Sequence, residues 1–242
     1  MEHADGKKVK RSRTLVTLLA GLAALSAFRP TPAVDGVIEI NQARALAGGI
    51  TTGDAAGYPI RIFTPGSYRL TGNLTTDGNN SGIEIFSDDV TLDLNGFALT
   101  CAGGVAVDGI SVPGFKNVEI RNGTIRGFTR SGIFTNINTQ YVRVIGVTAA
   151  ANTIMGIDLQ GQGNIIDGCT ALGNGNGMRA FEGSLVINSI IRGNPSSGLT
   201  LVGGSGYRSC VLTGNNGGDA NAQVSGGFQL GTNVCGTDTT CP

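Results

Sequence analysis

Across 242 residues the chain carries 17 Lys and Arg, 17 Asp and Glu and a single His, and 40 of its residues are glycine. So much glycine, with only 7 prolines and no three-residue period, suits neither a helical bundle nor collagen. The sparse charge excludes the basic face of a nucleic-acid binder and the charged composition of a disordered tail, leaving a chain long enough for a full core and rich in tight turns.

The chain opens on a basic head of Lys7, Lys8, Lys10, Arg11 and Arg13, then an apolar run from Leu15 to Phe28, then Pro30 and Pro32. This pattern predicts a secretory signal peptide over residues 1–33, since the apolar run is short of the about 20 residues a membrane span needs. From Val34 onward no transmembrane span is expected. That part holds 11 Lys and Arg against 15 Asp and Glu, a net charge of −4.

Residues 34–81 read as an N-terminal cap with lead-in strands. Asn41 can cap a short helix to Ala47, which Gly48 and Gly49 end. Ile60 to Phe63 and Tyr68 to Leu70 then flank a Pro65-Gly66 turn, as strands would.

A repeat occupies residues 82–230. Pairs of glycine and a large apolar residue fall at Gly82-Ile83, Gly109-Ile110, Gly132-Ile133, Gly156-Ile157, Gly177-Met178, Gly198-Leu199 and Gly227-Phe228. Spacings in the twenties are those of solenoids. Apolar alternation after each glycine (Ile83/Ile85, Ile157/Leu159, Leu199/Leu201) predicts a half-buried strand. A second strand follows at Val90/Leu92, Val118/Ile120, Val142/Val144, Ile166 and Ile187. About 21 residues per return leave room for three short strands per coil, stacked parallel on the coil before, which is a parallel β-helix. Asn152, Asn174, Asn194 and Asn215 recur in step and predict a ladder of amides at one corner.

With the phrase Val90-Thr-Leu-Asp-Leu-Asn-Gly-Phe97, the Gly-Asn corners and the segment Gly66 to Leu74, the chain resembles secreted bacterial β-helix proteins of the pectin lyase-like superfamily. The resemblance implies an all-β fold, a single-stranded right-handed parallel β-helix with a short N-terminal capping helix. It also implies a secreted, periplasmic or cell-surface location in a bacterium. That superfamily holds polysaccharide lyases, hydrolases and epimerases beside phage tailspikes, adhesins and members with no assigned role, so fold alone does not choose an activity.

The catalytic phrases of the enzymatic relatives are absent. His3 lies in the export segment, and the Asn-Thr-Asp, Arg-x-Pro-x-x-Arg and Asp-Pro-His-Asp patterns do not occur. Asp88 and Asp89 are the one adjacent acidic pair and the catalytic candidates, although Asp is favoured in the turn that precedes a strand. An acid/base site would require them to converge with Glu84, Asp93 or Asp108 in one groove. No metal ligand set and no cofactor are expected.

In the first strand of each coil the residue after the inward one points out, giving the row Glu84, Ser111, Phe134, Asp158, Arg179, Thr200 and Gln229, with Phe86 and Phe181 in the row two positions on. Phe134, Asp158, Arg179 and Phe181 form the candidate ligand-binding patch, suited to stacking on a sugar and bonding its hydroxyls; the plain alternative is an Asp158/Arg179 pair that only ties two coils together. Cys235 and Cys241 are expected to form a disulfide in the tail, residues 231–242, which would contribute roughly 2 kcal/mol. Cys169 and Cys210 align two coils apart with Ile190 between them, near 10 Å and too far to bridge; Cys101 is left over. The sequence therefore predicts an exported, non-catalytic scaffold that binds an extracellular polysaccharide weakly on its lateral face, with a polysaccharide lyase, glycoside hydrolase or epimerase with an atypical acidic site as the alternative and no nucleic-acid partner.

Overall fold

The fold is known from a computed structural model, which describes residues 36–237 and Cys241; the predicted signal peptide, residues 1–33, lies outside them. Each coil gives one short strand to an eight-stranded parallel sheet and the rest of its strands to a fifteen-stranded one. The eight strands are Ile60–Ile62, Ile83–Ile85, Ile110–Val112, Ser131–Thr135, Met155–Leu159, Asn176–Ala180, Ser197–Leu201 and Val224–Ser225. The lead-in segment is itself a coil: Ile60 pairs with Ile83, Tyr68 with Leu92 and Leu74 with Leu99. Alternation sends Ile83, Ile85, Ile157, Leu159 and their register partners inward, where they are fully buried. Each such side chain contributes about 1.5–3 kcal/mol.

Two different constraints explain the glycine. In the coil that starts at Gly163, the chain turns through left-handed residues at Gly163, Gly168 and Gly173, with φ of 68°, 61° and 60°. Glycine enters that region without steric cost and Asn with little, which is why other coils place Asn95, Asn122 and Asn188 at equivalent turns. The glycines of the Gly-apolar phrases answer to close approach instead. A Cβ on Gly82, Gly109, Gly132, Gly156, Gly177 or Gly198 would stand 2.3 to 2.7 Å from a carbonyl oxygen of the next coil.

The Asn ladder is present and fully bonded. Asn174 Oδ1 accepts from both the backbone N–H (3.0 Å) and Nδ2 (2.9 Å) of Asn152, while Asn174 Nδ2 donates to the Ala149 carbonyl (3.0 Å) and to Asn194 Oδ1 (3.1 Å). Asn194 repeats the pattern toward Asn215. Gln223 ends it: its Oε1 accepts from Asn215 N and Nδ2, at 3.0 Å each. A buried corner thereby keeps every amide paired, as the low-dielectric interior demands.

The helix Gln42–Ala47 forms as read, with the Asn41 side chain accepting from Arg44 N and Gly48 closing the end. Three register readings change. The last coil enters the eight-stranded sheet at Val224, not Phe228: Leu199 pairs with Val224 and Thr200 with Ser225, whereas Phe228 and Gln229 pair with Gly206 and Tyr207 in the fifteen-stranded sheet. Ser225 thus replaces Gln229 at the end of the outward row. Gln223 stands where earlier coils need glycine, because there is no coil in the eight-stranded sheet beyond it to forbid a side chain. Val186, not Ile187, is the inward partner of Ile166. Ser189, not Ile190, lies between Cys169 and Cys210, since Thr170 pairs with Ile190 and Ile190 with Val211.

Cys235 and Cys241 are disulfide-bonded, with Cα atoms 5.2 Å apart. Cys169 and Cys210 are buried free thiols, and Cys101 is a free, half-buried one. Burial pushes the Cys169 thiol up to about 11, so it behaves as a small apolar core residue.

Candidate functional site

The outer face of the eight-stranded sheet carries two parallel columns. The first runs Arg61, Glu84, Ser111, Phe134, Asp158, Arg179, Thr200 and Ser225, each in register with the next. The second lies two residues further along each strand and includes Phe63, Phe86, Asn136, Gln160 and Phe181; its polypeptide still follows the ladder, as Phe86 N donates to Ile62 O (2.8 Å) and Phe181 N to Leu159 O (3.1 Å). Neighbouring members of a column are about 4.8 Å apart.

The four predicted ligand-binding residues come together. Arg179 Nε and Nη2 grip the Asp158 carboxylate at 2.7 and 2.6 Å, and Gln160 Nε2 adds a third bond at 2.9 Å. The Asp158 bond holds the Arg179 guanidinium even more firmly in its charged form. Arg179 also lies over the Phe181 ring, 5.6 Å from its centroid. A two-toothed pair of this kind is stronger than an ordinary surface ion pair, and only 4% of Asp158 is exposed.

Two further charged residues join the patch. Arg130 lies 5.4 Å over the Phe134 ring, and its Nη1 is 3.3 Å from Asp108 Oδ2. Asp108 Oδ1 accepts from Ser131 N at 2.9 Å. Burial pushes the Asp108 carboxyl above its ordinary value of 3.8, the Asp158 charge adds to the rise, and the Ser131 bonds and Arg130 oppose it. Desolvation wins because the carboxylate is buried while the Arg130 guanidinium reaches water. Arg130 escaped the sequence reading because it stands at a corner ahead of its strand; the signal would have been its place one residue before the position in register with Asp108.

Asp88 and Asp89 sit apart from this patch, exposed in the turn before Val90. Asp88 Oδ1 accepts from Lys116 N (2.8 Å) and Asp89 Oδ1 from Asn117 Nδ2 (2.5 Å), so each carboxylate ties its turn to that of the next coil. Asp89 is left-handed, with φ of 57°, as are Asn117 and Tyr141 in the succeeding turns. The other acids have separate partners: Glu84 pairs with Arg61 (3.1 Å), and Asp93, on the fifteen-stranded sheet, with Arg121 (3.0 Å). Among the described residues no group of three or more His, Cys, Asp and Glu is arranged to hold a metal ion, and no helix is long and apolar enough to cross a membrane.

Residues 58–217 match the family described as right handed beta helix region. This chain belongs to that β-helix family. No curated protein matches it. Among solved structures, the β-helix is similar to pectate lyase Pel9A, at 19% identity and a TM-score of 0.53 over 80% of this chain and 57% of that one. It is also similar to the A-module of mannuronan C-5 epimerase AlgE4 from Azotobacter vinelandii, at 14% identity and a TM-score of 0.53 over 74% of this chain and 66% of that one. The chain therefore spans less than two thirds of the length of either. At these identities the likeness is one of fold.

Proposed function

We propose that this β-helix protein is exported and binds an extracellular polysaccharide on the outer face of its eight-stranded sheet, without turning it over. The observation that carries the reading is the unbroken band of Arg130, Phe134, Asp158, Arg179, Gln160 and Phe181: aromatic faces beside hydrogen-bonding groups, each charge already matched by a partner. Rings of this kind stack on apolar faces and the polar groups set orientation. Structural neighbours named as a pectate lyase and a mannuronan epimerase agree with a polysaccharide partner. The absence of a mature-chain histidine and the dispersal of the acids weigh against turnover.

Affinity electrophoresis through gels containing pectin, alginate or glucomannan tests this. Retardation by at least one polymer is expected, and Phe134→Ala with Phe181→Ala should weaken it about tenfold, the combined worth of two lost ring contacts at about 0.7 kcal/mol each. Unretarded migration in all such gels would overturn the reading. A second reading has its own support: Asp108, a buried carboxyl pushed upward close to Asp158, is the kind of acid that proton transfer uses. Release of unsaturated or reducing ends, abolished by Asp108→Asn, would favour it.

A further inference from the structure

The binding face described above is longer than its central patch. Phe63 and Phe86 occupy the second outward column in the first two coils, with ring centroids 5.4 Å apart and planes 20° from parallel. Phe115, from the following turn, meets Phe86 edge-on at 6.1 Å. Phe63 is 39% exposed, and Phe86 and Phe115 are half-buried. Unlike Phe134 and Phe181, these rings have no guanidinium over them among the described residues.

The charges of the face decide what could lie on it. Three guanidiniums and three carboxylates form three pairs, Arg61–Glu84, Arg130–Asp108 and Arg179–Asp158, at 3.1, 3.3 and 2.6 Å. Along the corner next to the second column, Asp88, Asp89 and Glu182 are exposed, against the single ammonium of Lys116. With an acidic rim on that side, and with exposed Arg126 and Arg192 at the opposite corner offset by exposed Asp77 and Asp219, the face has no cation surplus to hold a polyanion.

We infer that the ligand is an uncharged pyranose polymer, not a uronate, lying along the solenoid axis with Phe63, Phe86 and Phe115 as a second stacking platform. This deepens the polysaccharide reading and rests on it. From Phe63 to Phe181 the second column crosses five coil steps, about 24 Å at about 4.8 Å each. A chain of several sugars reaches both platforms and gains from their linkage, which a short fragment cannot.

The test is calorimetric titration of the full chain with hexasaccharides of cellulose and mannan, which are neutral, and of galacturonan and mannuronan, which are acidic, at low and high salt. A neutral hexamer should bind at least about tenfold tighter than either acidic one, with an affinity indifferent to salt. In a Phe63→Leu, Phe86→Leu variant, which keeps apolar bulk, affinity for that hexamer should fall about tenfold while the thermal midpoint holds. Tighter, salt-weakened binding of an acidic hexamer would overturn the inference and leave the polysaccharide reading standing. A neutral hexamer that binds the variant as well as the wild type would remove the second platform, reducing the Phe stack to a cross-strand contact. No binding by any hexamer or by any polymer in the gels would bring down the polysaccharide reading itself.

Discussion

Asp108 and Asp158 are both 4% exposed, yet they are held in different ways. Asp158 has two guanidinium bonds and an amide bond, whereas Asp108 has the backbone (2.9 Å) and side-chain bonds of Ser131 and a longer contact to a half-exposed arginine. Burial therefore dominates at Asp108 and raises its pKa. A carboxyl raised on folding stabilises the fold fully below its unfolded value, near 3.8, and loses that contribution as pH climbs through the higher folded value. Asp108→Asn keeps a neutral acceptor for Ser131 N and gives up an ion pair with a half-exposed partner, a loss of about 1 kcal/mol or less. The variant should gain stability relative to the wild type as pH rises through that window. Unfolding midpoints of both proteins from about pH 3 to about pH 7 check this, and parallel profiles would refute it.

At the scale of the strand and corner, the Asn ladder is the most exacting element. Asn174→Ala would strip a buried acceptor from Asn152 N and Nδ2 and a buried donor from the Ala149 carbonyl and Asn194 Oδ1. With several groups left unsatisfied at about 1–3 kcal/mol each, and some relaxation, a loss of about 4 kcal/mol is expected in denaturant unfolding. A loss under about 1 kcal/mol would mean the ladder is not bearing on stability. This element was legible in the sequence because its constraint acts in every coil: each Asn needs the next. Legibility failed where that constraint ends. Gln223 replaces glycine in the coil with nothing stacked beyond it in its sheet, so the Gly-apolar pattern pointed instead to Gly227-Phe228. Phe63 went unseen as a member of the outward column because Pro59, not glycine, precedes its strand at Ile60, and Phe115 because it belongs to a turn whose length differs from coil to coil. The Cys169 column slipped by one residue because the step from Cys169 to Ser189 is 20 residues and that from Ser189 to Cys210 is 21.

Over the whole molecule the two sheets present different outer faces. The fifteen-stranded sheet carries Asp93, Glu119, Arg121 and Arg143 in a linked set of ion pairs at 3.0 to 3.2 Å, each exposed enough to contribute about 1 kcal/mol or less. Those pairs mainly match coil to coil. The eight-stranded sheet combines its pairs with rings, from Phe63 and Phe86 at one end to Phe134 and Phe181 further along, in a face backed by a continuous ladder of hydrogen-bonded strands. A repeating, charge-balanced face suits holding a polymer, and its carboxylates at Glu84, Asp108 and Asp158 are each paired with an arginine. The direct test of holding without turnover is heat flow on injecting the full chain into excess glucomannan, pectin or alginate. The result expected is a heat of binding from at least one polymer that decays fully to baseline after each injection. A sustained heat flow proportional to protein, accompanied by shortening or epimerisation of the polymer, would contradict it.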